Sequence, residues 1–337
     1  MYEPTSPQPQ ISVPPALAPL LDHNFGPEWT SGLPALTGLH LRRWNLTPTG
    51  APMHGMVALV VPVRRADGSP AVLKMQPVTE ETRGEPAALR AWAGDGAVRL
   101  LDHAPATGAL LLEALDPART LENEPLDRAL TVIGGLLARL TRHRAPEGTR
   151  RLGTITRTMV RRCAALAPHL RDPRDRTRLA ALASHAREMA SEPGDRLLHW
   201  DLHYANVLAP LPGTRPEPWV AIDPQPLAGH PGYELLPALH DRWNEAVATG
   251  DPLRETRRRL DLLTETAGID RDRARAWTRV RVLQECVWAI EDGGTALPDV
   301  PVAVADALRD RPSRRAKDAP AAPLPSRTVD EGDDHRV

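Results

Sequence analysis

The order of hydrophobic patterns predicts an α+β protein of two lobes, a small antiparallel sheet with one helix followed by a mainly helical lobe. Three observations carry this reading. Apolar residues recur with a strand-like period between Leu41 and Leu115. Asp67-Gly68 separates two of those runs as a hairpin turn would. Beyond Pro117 the period lengthens to the three-and-four spacing of buried helix faces.

Taken in order, residues 1–33 form a Pro-rich extension expected to be loosely ordered, with one short helix around Pro15 to Asp22. Residues 34–115 make the small lobe. Strands are predicted at Leu41–Leu46, Met56–Arg64 and Pro70–Met75, then a helix opening near Glu85, with Pro86 in its first turn, Leu89 and Trp92 inward, and Gly94-Asp95-Gly96 closing it. Two strands, Ala97–His103 and Ala109–Leu115, complete the sheet. Residues 116–310 make the helical lobe, beginning with Leu121–His143, whose Leu126, Leu130, Ile133, Leu137 and Leu140 fall on one face. Further helices are predicted at Ile155–Leu170, Arg174–Ser191, Tyr233–Ala248, Pro252–Ala267 with Asp251 as cap, and Asp272–Asp292. A β-like insert, Arg196–Leu208 and Trp219–Ile222, interrupts them. Residues 311–337 lack periodic apolar positions and read as a disordered tail.

Composition excludes several functions. A chain of 337 residues, 41% hydrophobic and 25% charged, can bury two lobes around a cleft. Its formal net charge of -1 comes from interspersed acids and bases, so the electrostatic footprint of nucleic-acid binding is missing. No apolar run is long enough to cross a membrane, and no basic-then-apolar leader opens the chain, so a cytoplasmic protein is expected, monomer or homodimer. Cys163 and Cys286 lack metal-ligand spacing and read as core thiols. Of 42 basic residues only two are lysines, Lys74 and Lys317. Lys317 sits in the polar tail, but Lys74 interrupts the apolar run Ala71-Val72-Leu73-Lys74-Met75. A chain that otherwise uses arginine has kept a compact ammonium there, which argues for a site that a planar guanidinium would not fit.

Phosphoryl transfer needs a cation on the phosphates, oxygen ligands for a metal, a group to orient the attacking hydroxyl, and a roof against water. The chain offers candidates in a workable order. Lys74 can reach phosphates from a strand, and Glu85 at the helix start can pair with it. Asp201 can take the hydroxyl proton. Asn206, five residues on in His199-Trp200-Asp201-Leu202-His203-Tyr204-Ala205-Asn206, and Asp223, ending the strand Trp219-Val220-Ala221-Ile222, can hold Mg²⁺. The roof is the weakest element, since Gly50 and Gly55 in LTPTGAPMHGMVAL form no GxGxxG.

The segments HWDLHYANVL and WVAIDPQPLAGHPGYELLP, with AVLKMQ, EPAALRAWAGDGAVRLLDH and GALLLEAL in the same order, resemble the aminoglycoside phosphotransferases. More narrowly they resemble the aminoglycoside/hydroxyurea antibiotic resistance kinases, which include streptomycin 6-kinases. The resemblance spans roughly Leu41 to Trp288. It implies a protein-kinase-like fold and transfer of the γ-phosphate of ATP, with Mg²⁺, to a hydroxyl of an aminoglycoside, hydroxyurea or another small metabolite. It implies Asp201 as base, Asn206 and Asp223 as metal ligands, Lys74 and Glu85 as the phosphate-positioning pair, and Glu113 to Leu115 as the linker whose backbone faces adenine. Two positions depart from related patterns: Pro224 follows Asp223 where protein kinases have phenylalanine, and Glu234 stands where the family often has aspartate. Trp200 replaces the arginine with which many protein kinases read a phosphorylated loop, which implies an enzyme without that switch.

Two rivals remain at this level. On an extended strand His199, Asp201 and His203 would share one face and could bind a hydrolytic metal, although Lys74, Glu85 and Asp223 would then have no role. A nucleotide-binding module without turnover is the other. Late-helix acids, Asp241, Glu245, Glu285, Glu291 and Asp292, are candidates for a polycationic substrate, though most such residues are solvated faces.

Overall fold

Strand alternation decides the build of the small lobe. The structure, a computed structural model, describes residues 11–309, and expectations for residues 1–10 and for the tail from Arg311 lie outside the described residues. Helices α1 (Ala18–Phe25) and α2 (Pro27–Arg43) precede β1 (Thr47–Pro48), β2 (Met53–His54), β3 (Leu59–Arg64) and β4 (Pro70–Met75). Helix α3 (Glu85–Trp92), β5 (Leu100–Ala104) and β6 (Ala109–Glu113) follow. The sheet is antiparallel in the order β1-β3-β4-β6-β5, with β2 paired to β3. Side chains on a strand point alternately to its two faces. Leu59, Val61 and Val63, Ala71, Leu73 and Met75, and Ala109 and Leu111 therefore form one apolar face. Leu17, Leu21, Leu33 and Leu41 of the leading segment cover it. Lys74 belongs to the other face, with Leu110 and Leu112, which join the core shared with α3 and the helical lobe.

The short helix expected around Pro15 to Asp22 is present as α1, and within the described residues α2 follows it where a loose lead-in was expected. Pro19 and Pro27 lie in first helical turns, where the missing N–H costs nothing. The expected strand Leu41–Leu46 is instead the end of α2 and the turn after it: Leu33 and Leu41 reach the sheet from the helix and Leu46 from the turn. The hairpin at Asp67-Gly68 forms as read, with Gly68 at φ +83° and Asp67 accepting from the Ser69 backbone.

Only Ala114 separates β6 from β7 (Leu115–Thr120), which leaves the small sheet and pairs instead with a strand of the other lobe. That lobe continues with α4 (Leu126–Leu140), β8 (Arg150–Arg151), α5 (Leu152–Leu166), α6 (Pro173–Met189), β9 (Arg196–Leu198), β10 (Val207–Pro210), β11 (Val220–Ala221) and β12 (Leu227–Gly229). It ends with α7 (Leu235–His240), α8 (Trp243–Ala248), α9 (Pro252–Ala267), α10 (Arg271–Glu291) and α11 (Asp299–Ala307). Strands β11-β10-β7 and β8-β12-β9 form two small sheets that carry the loops of the cleft.

The single helix expected over Tyr233–Ala248 is broken at Asp241-Arg242, where Arg242 is left-handed at φ +53°. The break is a tertiary decision: the buried Arg259 guanidinium donates to the Asp241 and Arg242 carbonyls, and Tyr204 Oη donates to that of Ala238. Helix α11 escaped the sequence reading. Cys163 and Cys286 are buried free thiols, as expected. Among the described residues no helix is long and apolar enough to cross a membrane.

The turn Pro231–Glu234 packs flat on α10, so closely that a Cβ on Gly232 would lie 2.5 Å from the Ala274 Cα. Gly232→Ala should therefore cost about 1–3 kcal/mol through overpacking against backbone, read as a lower denaturant midpoint. An unchanged midpoint would mean the turn can retreat from α10 freely.

Candidate active site

Strand β4 ends in the cleft with Lys74 between two carboxylates. Its Nζ donates to both Glu85 oxygens at 2.8 Å and to Asp223 Oδ1 at 2.5 Å. Helix α3 supplies Glu85 from its first turn, where the helix dipole favours an anion. Gln76, the first residue past β4 and two beyond Lys74, donates to Glu85 Oε2 at 2.5 Å. Burial alone would discharge Lys74, but Asp223 and Glu85 outweigh it and hold the ammonium well above its usual range. Burial pushes the Glu85 carboxyl up, against Lys74. Lys74 draws Asp223 below the usual carboxylate range. Removing one partner of such a group strands a buried charge, so the three stand or fall together.

The loop from His199 to Asn206 lies across from this cluster. It is no extended strand, because Trp200 sits in the left-handed region at φ +67°. His199, Asp201 and His203 therefore do not line one face, and among the described residues no group of three or more His, Cys, Asp or Glu side chains could hold a metal. The hydrolase reading fails on that geometry. His199 is committed elsewhere: its Nε2 donates to the Ile222 carbonyl at 2.9 Å, its ring stacks near Trp92, and burial lowers its pKa to about 4, so it is neutral. The His203 ring faces Asp201 Oδ2 at 3.8 Å.

Asn206 Nδ2 donates to both the carbonyl and Oδ2 of Asp201, at 2.9 and 3.1 Å. Its Oδ1 is the atom left to coordinate a cation. Burial raises Asp201, with His203 and Arg281 opposing. A carboxylate raised toward working pH is a better proton acceptor. Asp223 is left-handed at φ +57°, a conformation aspartate tolerates, and keeps its second oxygen free of Lys74. The pair Asn206 and Asp223 thus presents a carboxylate and an amide oxygen, a donor set that suits a hard cation which also takes phosphate oxygens and water.

Trp200 is a bulky residue in a backbone region that costs on the order of 1–3 kcal/mol, so its surroundings must hold it. Glu234 Oε1 accepts the Trp200 N–H at 2.6 Å. The guanidinium of Arg150 lies over the Trp200 ring, 4.3 Å from its centre, and that of Arg281 approaches the same ring at 5.4 Å. Neither arginine had a sequence signal, because arginine is everywhere in this chain. Glu234, standing where the family often has aspartate, thus braces the loop.

Above Asp223 a tight turn from β2 to β3 closes through the Gly55 N–H to the Ala58 carbonyl at 3.0 Å. A Cβ at Gly55 would come 3.9 Å from Asp223 Oδ2, so this turn is the roof candidate, whereas Gly50 lies against Pro62. Glu113 and Leu115 flank the linker, but the Glu113 carboxylate is spent on the Arg99 N–H and on Arg215 Nη1, at 2.7 and 2.5 Å, and Leu115 pairs with Pro210.

Residues 43–293 match the model of the family described as aminoglycoside/hydroxyurea antibiotic resistance kinase. The chain belongs to that family. It is 50% identical over 303 residues, 89% of this chain and 97% of the relative, to the streptomycin 6-kinase of Streptomyces glaucescens. It is 51% identical over 289 residues, 85% of this chain and 82% of the relative, to the hydroxyurea phosphotransferase of Kitasatospora aureofaciens. Solved structures share the fold: a choline/ethanolamine kinase family protein from Mesorhizobium loti at a TM-score of 0.53 and 17% identity, covering 81% of this chain and 92% of that one. A macrolide 2'-phosphotransferase from Brachybacterium faecium superimposes at 0.51 and 20% identity, covering 84% of this chain and all of that one. As a member of this kinase family, the chain is a phosphotransferase.

Burial lifts Glu234 from 4.5 to about 7, against the pull of the Trp200 N–H. A carboxyl raised on folding stabilises fully below its ordinary pKa, and that stabilisation is lost as pH climbs through the folded value. Between about pH 4.5 and 7 the wild type should thus lose up to about 3 kcal/mol relative to Glu234→Gln, whose amide oxygen still accepts from Trp200. Parallel stability curves for the two proteins, from denaturant unfolding at several pH values, would show that Glu234 does not titrate in that window.

Proposed function

We propose that this kinase moves the γ-phosphate of ATP, with Mg²⁺, onto a hydroxyl of an aminoglycoside such as streptomycin. Inactivation follows if the added negative charge falls where ribosome binding wants a positive one. The observation that carries the reading is the Lys74, Glu85 and Asp223 cluster facing Asp201 and Asn206, in a chain half identical to streptomycin 6-kinases over nearly all its length. Lys74, already charged and fixed by Glu85, holds the phosphates. Asp223 and Asn206 Oδ1 hold the metal. When bound, Mg²⁺ supplies positive charge to the phosphate oxygens, as transfer through a loose transition state requires. Asp201, a third exposed and steadied by Asn206, orients the acceptor hydroxyl and takes its proton. The turn at Gly55 excludes water from above.

Hydroxyurea is the second acceptor to consider, because the relative named for it is as similar as the streptomycin 6-kinases. Coupled ADP release with each compound separates the two. With the productive acceptor, Asp201→Ala should lower kcat by roughly 10²–10⁴-fold, the usual share of general-base catalysis. Equal phosphate transfer by Asp201→Ala and wild type across a panel of hydroxylated compounds would sink the assignment. ATP binding without transfer to any of them would leave a nucleotide-binding module.

Lys74→Arg should fail despite keeping the charge. One tetrahedral ammonium meets both Glu85 oxygens and Asp223 at once, which a planar fork cannot do. Loss of one charged hydrogen bond predicts a fall in kcat/KM for ATP on the order of tenfold or more. Steady-state kinetics near wild type would refute the shape argument for this lysine.

A further inference from the structure

Between β10 and β11 the chain runs out in a long turn whose only deeply buried side chain with a charge is Arg215, 1% exposed. The base of this hairpin carries the two metal-ligand candidates: Asn206 immediately precedes β10, and Asp223 lies two residues beyond β11. Its far end is fastened to the other lobe. Arg215 Nη1 donates to Glu113 Oε1 at 2.5 Å and to the Ala97 carbonyl at 3.2 Å, and Nη2 donates to the Gly94 carbonyl. Its Nε donates to Glu217 at 3.2 Å. Glu217 in turn meets Arg139 of α4, which also bonds Asp95 beside the α3 terminus. Main-chain bonds run parallel to this network, from Val98 N–H to the Ala221 carbonyl and from Ala221 N–H to the Gly96 carbonyl, both at 2.9 Å.

Glu113 is the last residue before the crossing at Ala114. Its own N–H donates to the Arg99 carbonyl at 3.1 Å, so backbone and carboxylate are both fixed. One guanidinium therefore ties the start of the interlobe linker to the hairpin that bears Asn206 and Asp223. Arginine suits this task because its planar fork presents donors in several fixed directions, where an ammonium offers a single centre.

We propose that Arg215 is a positioning residue for the nucleotide: it holds the linker end and the Asp223 end of the pocket at a fixed separation. It touches no nucleotide and acts through Glu113 and the hairpin. This rests on the reading of the cleft as an ATP site. An enzyme without a phosphorylation switch needs its two lobes registered at all times, and a buried network of this kind does that without a partner or a modification.

The experiment titrates ADP into the full-length protein by calorimetry, with and without Mg²⁺, and records the melting temperature and KM for ATP alongside. Arg215→Met keeps the aliphatic stem and removes every donor, while Arg215→Lys keeps the charge and loses the fork. Arg215→Met is expected to weaken ADP binding about tenfold, the size of one lost charged hydrogen bond, and to raise KM for ATP more than it lowers kcat. Arg215→Lys should fall between it and wild type. A role confined to stability would lower the melting temperature and leave the ADP affinity of folded protein unchanged in both variants, which overturns the proposal. If Arg215→Met does not fold, Arg215→Lys alone decides, since wild-type ADP affinity there would also overturn it. A wild type that binds no ADP overturns this proposal and the ATP site together. Binding of ADP without transfer to any acceptor defeats the proposed function, and the Arg215 variants would still be read on their own terms.

Discussion

The cleft is organised around one buried ammonium held between two carboxylates that lie far apart in the chain. Lys74 and Glu85 come from neighbouring elements of the small lobe, whereas Asp223 arrives from the helical lobe. Lys74 and Glu85 are almost wholly buried and neither is tolerable there unpaired, because an unpaired buried charge costs several kcal/mol, whereas Asp223 keeps 44% of its side chain exposed to the cleft. The lobes are therefore drawn together by the same groups that would handle phosphate. The outer face of the sheet must be sealed for this to work, since alternation puts Leu73 and Met75 on the face opposite Lys74. Helices α1 and α2 provide that seal, so a segment remote from the chemistry determines whether the strand that carries Lys74 is stable.

The loop opposite is shaped by strain rather than by regular structure. Trp200 and Asp223 both occupy left-handed backbone, one beside Asp201 and the other just beyond the β10–β11 hairpin. Strain of this kind persists only where neighbours over-determine it. Around Trp200 the neighbours are a buried acid, Glu234, on the backbone and two guanidinium groups near the ring. Desolvated cation–π contacts are worth about 2 kcal/mol each, enough to offset the backbone cost. The position before Asp201 thus carries an aromatic ring held between the Arg150 and Arg281 guanidinium groups.

How much of this was legible depended on whether the signal was local. Asp201, Asn206 and Asp223 stood out because their spacing is set by a loop and a strand short enough to see as one motif. Lys74 stood out through scarcity, as one of two lysines among 42 basic residues. Gln76, two positions beyond Lys74 and just past the strand, carried no signal because a glutamine there has no chemistry of its own. Arg150, Arg215 and Arg281 were invisible: arginine is so common here that no single one carries information. Helix α2 was hidden for a related reason, since its prolines read as breaks, although Pro27 sits in the first turn and Pro34 is carried inside the helix.

By itself, the order of residues determined the two lobes, the antiparallel sheet, the family and the five ionisable or amide side chains that face one another across the cleft. These follow from periodicity and short-range spacing, which are properties of neighbouring positions. Tertiary structure alone decided which face of the sheet the leading helices cover, where the helix after Tyr233 breaks, and which arginines brace the loop and bolt the lobes. Those outcomes depend on buried polar groups finding partners dozens of residues away, and the requirement that each be satisfied acts on the folded whole.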